Sequence, residues 1–210
     1  MATLPEVHGT GILPIVAALR SNREKYSRYL PEHLERYLTL EVEPADWYPT
    51  EDLVALLQVF AHVEVPDTEL EERFQYFGAV SARRDIDGTQ NAVRERFRTE
   101  HAGIWKGALK KGQDHAEVLR RAFGMHQLYY DRGEFRLERA SERVVTATLH
   151  DFPARRELCH LTLGYAREIV SIVELPATID MTACRAYGDE CCLFTVSFRD
   201  DADVADLIGI

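Results

Sequence analysis

Four cysteines are the residues of this chain whose types and spacing are most suggestive of chemistry. Cys184, Cys191 and Cys192 lie close together in sequence, and Cys159 lies about one helix upstream. A turn at Gly188-Asp189-Glu190 would place the flanking strands side by side, so that Cys184 neighbours Cys191 or Cys192. Thiolates gathered in this way suit Zn²⁺, which prefers four tetrahedral ligands. Cysteine also packs in cores as a small hydrophobe, and because there is no C-x-x-C pair, the spacing alone favours packing.

The familiar catalytic patterns are absent from the sequence. It contains no G-x-G-x-x-G, G-x-x-x-x-G-K-[ST], G-x-S-x-G or H-E-x-x-H motif. Its eight histidines are scattered, and His160, next to Cys159, comes nearest to pairing with another ligand-type residue. With no nucleophile–base pair and no nucleotide-binding loop, we expect a protein that is not an enzyme.

Length, composition and charge restrict the class of protein. The chain has 210 residues, of which 46% are hydrophobic, so we expect one domain over residues 1–210. A formal charge of −10 argues against nucleic acid or an anionic membrane as a partner. No apolar run reaches the roughly 20 residues of a membrane helix, and the N-terminus lacks the basic head of a secretory signal. The expected location is therefore the cytoplasm.

One stretch of the sequence is basic. From Arg83 to Lys111 there are eight Lys or Arg against four acids. A solvated helix face is the simpler interpretation. The alternative is a docking surface for an acidic partner, with Arg94, Arg98 and Lys110 as its contact residues.

The periodicity predicts helices first and strands last. Apolar spacing predicts helices near 11–20, 31–40 and 89–110, one with Thr50 as N-cap, one from Asp67 to a stop at Gly78, and one from Asp114 through about Tyr130. Alternation then predicts strands around 135–137 and 144–149, a helix over 154–173, and strands over 178–187 and 192–198. The predicted fold class is α+β: a helical part (1–112) packed on a small four-stranded antiparallel sheet with β-β-α-β-β order (113–200), followed by a tail (201–210).

The C-terminal third resembles the 4-vinyl-reductase domain family. The signature C-x-x-x-G-D-x-x-C-x-F is matched by Cys184, Gly188, Asp189, Cys192 and Phe194. Cys159 ahead of Leu163-Gly164-Tyr165 is similar to the helix that carries a further cysteine in that family. Tyr129, Tyr130 and Gly133 add to the likeness. Together with Trp47-Tyr48-Pro49 they are similar to an uncharacterised branch from myxobacteria and their relatives.

This resemblance implies a fold shared with haem–nitric-oxide-binding sensor domains and with the small TRAPP tethering subunits. It also implies an apolar pocket between helices and sheet, and a zinc ion held by Cys159, Cys184 and Cys192. Asp180 is the nearest carboxylate for the acidic ligand, because Met181 occupies the family's position, and Cys191, His160 or water is the alternative fourth ligand. We expect zinc rather than haem, since Ser81-Ala82-Arg83 gives only part of the Tyr-x-Ser-x-Arg haem clamp, although His115 or His126 is a candidate axial ligand.

The expected ligand-binding residues are aromatic or apolar and lie near the predicted helix–sheet boundary: Trp105, Phe123, Met125, His126, Tyr129, Tyr130 and Tyr165. Aromatic residues at helical spacing are more often plain core. Three functions remain open. The favoured one is a sensory module that binds a small hydrophobic or aromatic molecule and signals to a separate output protein, as a homodimer. The alternatives are a TRAPP-like dimeric assembly module and an accessory factor or reductase in tetrapyrrole metabolism.

Overall fold

The computed structural model describes residues 5–87 and 115–199. The helices predicted over 89–110, and the candidate residues Trp105, Arg94, Arg98 and Lys110, lie outside these ranges. Residues 5–87 are mainly helical, whereas residues 115–199 combine helices with a sheet.

Seven α-helices form within the described residues. Their bounds are α1 Gly9–Ser21, α2 Arg23–Tyr26, α3 Thr50–Glu64, α4 Leu70–Asp87, α5 His115–Gly124, α6 His126–Tyr129 and α7 Arg156–Ile172. The stripe of α3 that the periodicity predicts, Leu53, Leu56, Leu57 and Phe60, is buried. No helix in the described part of the chain has the length and apolar character needed to cross a membrane.

The strands form two antiparallel sheets. Their bounds are β1 Glu6–His8, β2 Trp47–Pro49, β3 Glu134–Ser141, β4 Val144–His150, β5 Ala177–Ala183 and β6 Cys192–Phe198. The larger sheet has the order β3-β4-β6-β5, and α7 connects β4 to β5. The predicted α+β class with a four-stranded antiparallel sheet is thus confirmed. In β4 and β6 alternate residues are buried, which gives this sheet one face toward the helices.

Five details of the predicted elements were wrong. Helix α4 continues past Gly78 to Asp87, and the segment after Asp114 divides into α5 and α6 at Met125. The first strand of the last pair ends at Ala183, because a 3₁₀ turn over Arg185–Tyr187 follows it. Residues 31–40 hold a 3₁₀ helix, Glu32–Leu38, and α3 begins at Thr50 itself, whose side chain makes no capping hydrogen bond.

Gly78 does not end α4. It lies within that helix, at the point where α4 crosses α7. A Cβ at Gly78 would clash with the carbonyl oxygen of Leu161, and a Cβ at Gly164 would clash with that of Gln75. Glycine at both positions therefore lets the two backbones approach closely. This contact joins the N-terminal helices to the C-terminal half, and one hydrophobic core extends through both.

Candidate functional site

A cavity of about 310 Å³ lies between the two halves of the described structure. Residues of α1, α3 and α4 line one side, including Ile15, Ala18, Leu57 and Phe77. Residues of α5, α6, β3 and α7 line the other side, and Leu161 and Phe135 are among them. The lining is mainly apolar, as in most small-molecule sites.

Among the described residues, His126 is the histidine that lines this cavity. It is buried, and its Nε2 donates to the carbonyl oxygen of Arg132 at 3.1 Å. The ring lies among Phe152, Tyr130 and Phe135, with centroid distances of 4.4, 4.7 and 5.4 Å. Burial lowers the pKa of His126 to about 4, so the imidazole is neutral at pH 7 with its lone pair on Nδ1.

Three polar residues of the cavity wall, Arg84, Tyr129 and Tyr165, meet at Asp85, which is buried behind the lining. The Asp85 carboxylate accepts hydrogen bonds from the hydroxyls of Tyr129 and Tyr165, the latter at 3.1 Å. Arg84 completes the cluster, with Nη2 3.3 Å from Asp85 and 3.3 Å from the Tyr129 hydroxyl. Burial and the nearby Asp85 raise the pKa of Tyr129 well above its ordinary value. Both tyrosines are therefore hydrogen-bond donors fixed toward the carboxylate.

Arg73 lines the cavity from α4, in a group of charged residues. Its Nη2 forms an ion pair with Glu64, which also accepts hydrogen bonds from Tyr26 and from Lys25, the latter at 3.3 Å. The guanidinium lies over the rings of Tyr76 and Phe77, 4.5 and 4.8 Å from their centroids. Three aromatic or charged neighbours thus fix the orientation of the Arg73 side chain.

The structure brings three of the four cysteines together, apart from the cavity. The Sγ atoms of Cys159, Cys184 and Cys192 lie within 4.8 Å of one another, and all three residues are buried. Cys159 on α7 contacts Cys192 on β6 at 3.5 Å, and Cys192 contacts Cys184 at 4.0 Å. The hydrogen bond with Cys159 lowers the pKa of Cys192 to about 6, while hydrogen bonds with Cys184 and Cys192 raise the pKa of Cys159. The fourth cysteine, Cys191, is half-buried.

Asp180 does not lie with these thiols, so its prediction as the acidic zinc ligand was wrong. Its side chain is 61% exposed and pairs with Arg167 at 2.6 Å. Because β5 alternates its side chains, Asp180 points away from the buried face that holds Ile179. His160 is engaged elsewhere, with Nδ1 3.1 Å from Gln75 and Nε2 2.9 Å from the Tyr187 hydroxyl.

The predicted ligand-binding residues that the structure describes all line the cavity: Phe123, Met125, His126, Tyr129, Tyr130 and Tyr165. Trp105 lies outside the described residues, as do Arg94, Arg98 and Lys110. Arg73, Arg84 and the lining from α1 were not predicted from the sequence. Arg73 stands next to Phe74 in the apolar stripe of α4, and a charged residue flanking such a stripe was the available signal.

Comparison with solved structures identifies proteins of similar fold. An H-NOX protein from S. oneidensis in the Fe(II)NO ligation state matches with a TM-score of 0.60 and 12% identity, over 92% of this chain and 99% of that one. A structure from a study of heme distortion in the H-NOX family matches with a TM-score of 0.57 and 8% identity, over 91% and 95%. A mutant of T. tengcongensis H-NOX gives a TM-score of 0.56 and 9% identity, over 91% and 97%. No family model matches this chain, and no curated protein has a significantly similar sequence.

These comparisons overturn two expectations. The identification with 4-vinyl-reductase domains was wrong, because the structural neighbours are H-NOX proteins and no family model supports the motif match. The expectation of zinc rather than haem was also wrong, because the proteins that share this fold are associated with heme and with an Fe(II) centre. The C-x-x-x-G-D-x-x-C-x-F match reflects a short turn between β5 and β6 with two buried cysteines, which is too little to specify a family.

Proposed function

We propose that this chain is a ligand-binding sensory module with an H-NOX-like fold. In this proposal an apolar ligand occupies the cavity between the two halves, and a separate output protein reads the bound state. The observation that carries the proposal is the cavity itself, because helices of the N-terminal half and elements of the C-terminal half both line it. A ligand held by both halves can shift their relative arrangement if it binds two arrangements with different affinity.

Haem is the ligand that the fold implies, and the cavity contains the types of residue that bind haem: an imidazole, an arginine and apolar side chains. The neutral imidazole of His126 would supply a nitrogen ligand to the iron, and the guanidinium of Arg73 would hold a carboxylate of the haem. Haem would supply an iron atom able to bind a diatomic gas. Ligation through Nε2 requires loss of the hydrogen bond from His126 to Arg132, whereas ligation through Nδ1 leaves that bond in place.

A small apolar or aromatic molecule is the second candidate ligand. The cavity volume of about 310 Å³ favours it, because ligand pockets range from roughly 300 to 1,000 Å³ and this one is at the small end. Two polar parts of the wall, His126 and the residues that bind Asp85, are already hydrogen-bonded within the protein. A ligand that is apolar where it faces these groups therefore suits this part of the cavity.

Signalling in this proposal requires contact with a separate output protein. The basic segment with Arg94, Arg98 and Lys110 remains our candidate contact for an acidic partner, and a homodimer remains the expected assembly. The absence of enzymatic activity also stays a prediction. The assembly-module and tetrapyrrole-metabolism alternatives receive no support from the comparisons.

Titration of the purified protein with haem, followed by absorbance in the Soret region, tests the first candidate. We expect uptake of one haem per chain, and we expect His126→Ala to shift the Soret absorbance band of the bound haem. His33→Ala is the matched control, because His33 is exposed on another segment. If haem does not bind but an apolar fluorescent probe does, the second candidate stands. If neither binds, the proposed function is wrong.

A further inference from the structure

The guanidinium of Arg73 is only partly satisfied by the protein. Its Nη2 pairs with Glu64, but its Nε is buried and has no hydrogen-bond acceptor among the described residues. A buried N–H without an acceptor costs free energy, and native structures seldom retain one without a reason. Because Arg73 lines the cavity, a ligand in that cavity is a source of the missing acceptor.

The charges around Arg73 leave a positive balance. The residues lining the cavity include two cationic side chains, Arg73 and Arg84, and one anionic side chain, Glu64. Asp85 outside the lining compensates Arg84, and Lys25 adds a further positive charge beside Glu64. An anion with a single charge would balance this end of the cavity, whereas a neutral or cationic group would not.

We propose that the ligand of this cavity carries a carboxylate, which accepts a hydrogen bond from the Nε–H of Arg73 while its apolar body occupies the space beyond. This inference rests on the proposed function and names the chemical class of its ligand: an apolar carboxylic acid. Guanidinium groups bind carboxylates through planar, charge-assisted hydrogen bonds. Tyr76 and Phe77 hold the plane of this guanidinium in advance, so little side-chain entropy is lost on binding.

A matched pair of probes distinguishes the contribution of the carboxylate to binding from that of the apolar body. Decanoate and decan-1-ol share a chain length but differ in the charged group. We expect decanoate to bind about tenfold more tightly than the alcohol, because a hydrogen bond to a charged group is stronger than one to a neutral group. In Arg73→Gln this preference is expected to disappear, because the affinity for decanoate falls toward that for decan-1-ol.

Two further variants control the experiment. Arg28→Gln removes an exposed arginine that also stacks on a tyrosine but does not line the cavity, so the preference for decanoate is expected to remain. Arg73→Lys keeps a positive charge without the Nε–H, and we expect it to retain only part of the preference. Thermal melting of each variant establishes that it is folded.

The outcomes distinguish this inference from the proposed function. Equal binding of acid and alcohol to the unmodified protein, or an undiminished preference in Arg73→Gln, overturns the carboxylate assignment alone. Failure of every apolar probe to bind overturns the proposed function itself. Protoporphyrin IX and its dimethyl ester form a second pair. A preference for the acid in that pair assigns the carboxylate to a haem-type ligand, and a preference in the decanoate pair alone assigns it to a free acid.

Discussion

The imidazole of His126 and the carbonyl group of Arg132 are joined by a hydrogen bond of 3.1 Å, which fixes the protonation of the ring. A carbonyl oxygen can only accept, so Nε2 carries the proton and Nδ1 carries the lone pair. Gly133 leaves the space for this arrangement, because a Cβ there would clash with Nε2. The protein thus holds a neutral imidazole in the cavity wall.

This neutral imidazole makes stability depend on pH. Burial lowers the pKa of His126 to about 4 in the folded state, whereas an unfolded histidine titrates near 6.5. The unfolded state therefore binds the extra proton between these values. We expect the contribution of His126 to the free energy of unfolding to be complete above about pH 6.5. As the pH falls toward 4, the protein should lose stability on the order of 3 kcal/mol from this group. Chemical denaturation at a series of pH values measures this.

His126→Phe should remove this contribution and flatten the stability profile between pH 4 and 6.5. His33→Gln, at an exposed position, should leave the profile as it is. An unchanged slope in His126→Phe would show that other groups cause the acid sensitivity.

The crossing of α4 and α7 should not tolerate a methyl group. Because a Cβ at Gly78 or Gly164 would clash with backbone rather than with a movable side chain, we expect Gly78→Ala and Gly164→Ala each to lower the free energy of unfolding by about 3 kcal/mol or more. Gly124→Ala is the control: it meets nothing within 4 Å at the end of α5, so it should be neutral or slightly stabilising. Equal effects at the three glycines would contradict the close crossing.

The Asp85 cluster should contribute to stability through its tyrosine hydroxyls. Tyr165→Phe leaves the ring in place and removes one hydrogen bond to the buried carboxylate, so it should cost about 1.5–3 kcal/mol. Tyr29→Phe, at an exposed position, should cost nothing measurable. Thermal or denaturant unfolding of the two variants provides the comparison, and a Tyr165→Phe protein as stable as the parent would mean that this bond contributes no net stability.

The four cysteines should differ in reactivity because of access rather than pKa. Although hydrogen bonding lowers the pKa of Cys192 to about 6, this residue is only 3% exposed. Thiol reagents need both a thiolate and access to it. We therefore expect a single fast-reacting thiol, at the half-buried Cys191, and we expect Cys191→Ser to abolish fast labelling. Rapid labelling of two or more thiols in the folded protein would refute the buried cluster.

The sequence predicted individual helices and strands better than it predicted which elements pack against each other. Apolar periodicity identified the buried face of α3 and the alternation of β4 and β6, because burial of one face produces that pattern directly. It placed a stop at Gly78, because a glycine that permits a helix crossing looks the same in sequence as one that ends a helix. Only the position of Leu161 on α7 distinguishes the two cases.

The candidate site was predictable in part for the same reason. The aromatic residues of the C-terminal half, such as Phe123 and Tyr165, could be proposed because they lie near the helix–sheet boundary in the chain. Arg73 and Ala18 could not, because they reach the cavity only through the packing of α4 and α1 against that half. The three cysteines were correctly expected to meet, yet their proximity did not specify a family or a metal.

Filling the cavity tests the central claim most directly. Ala18 lines the cavity, and its neighbour Ala17 on α1 is exposed and does not. Ala18→Phe should reduce the affinity for haem, or for an apolar fluorescent probe such as anilinonaphthalene sulfonate, by about tenfold or more, while Ala17→Phe should bind like the parent. The added ring occupies a large part of a space of about 310 Å³. Saturable binding to the parent that falls only in Ala18→Phe is the predicted result. No binding to the parent, or equal binding to both variants, would contradict a ligand site between the two halves.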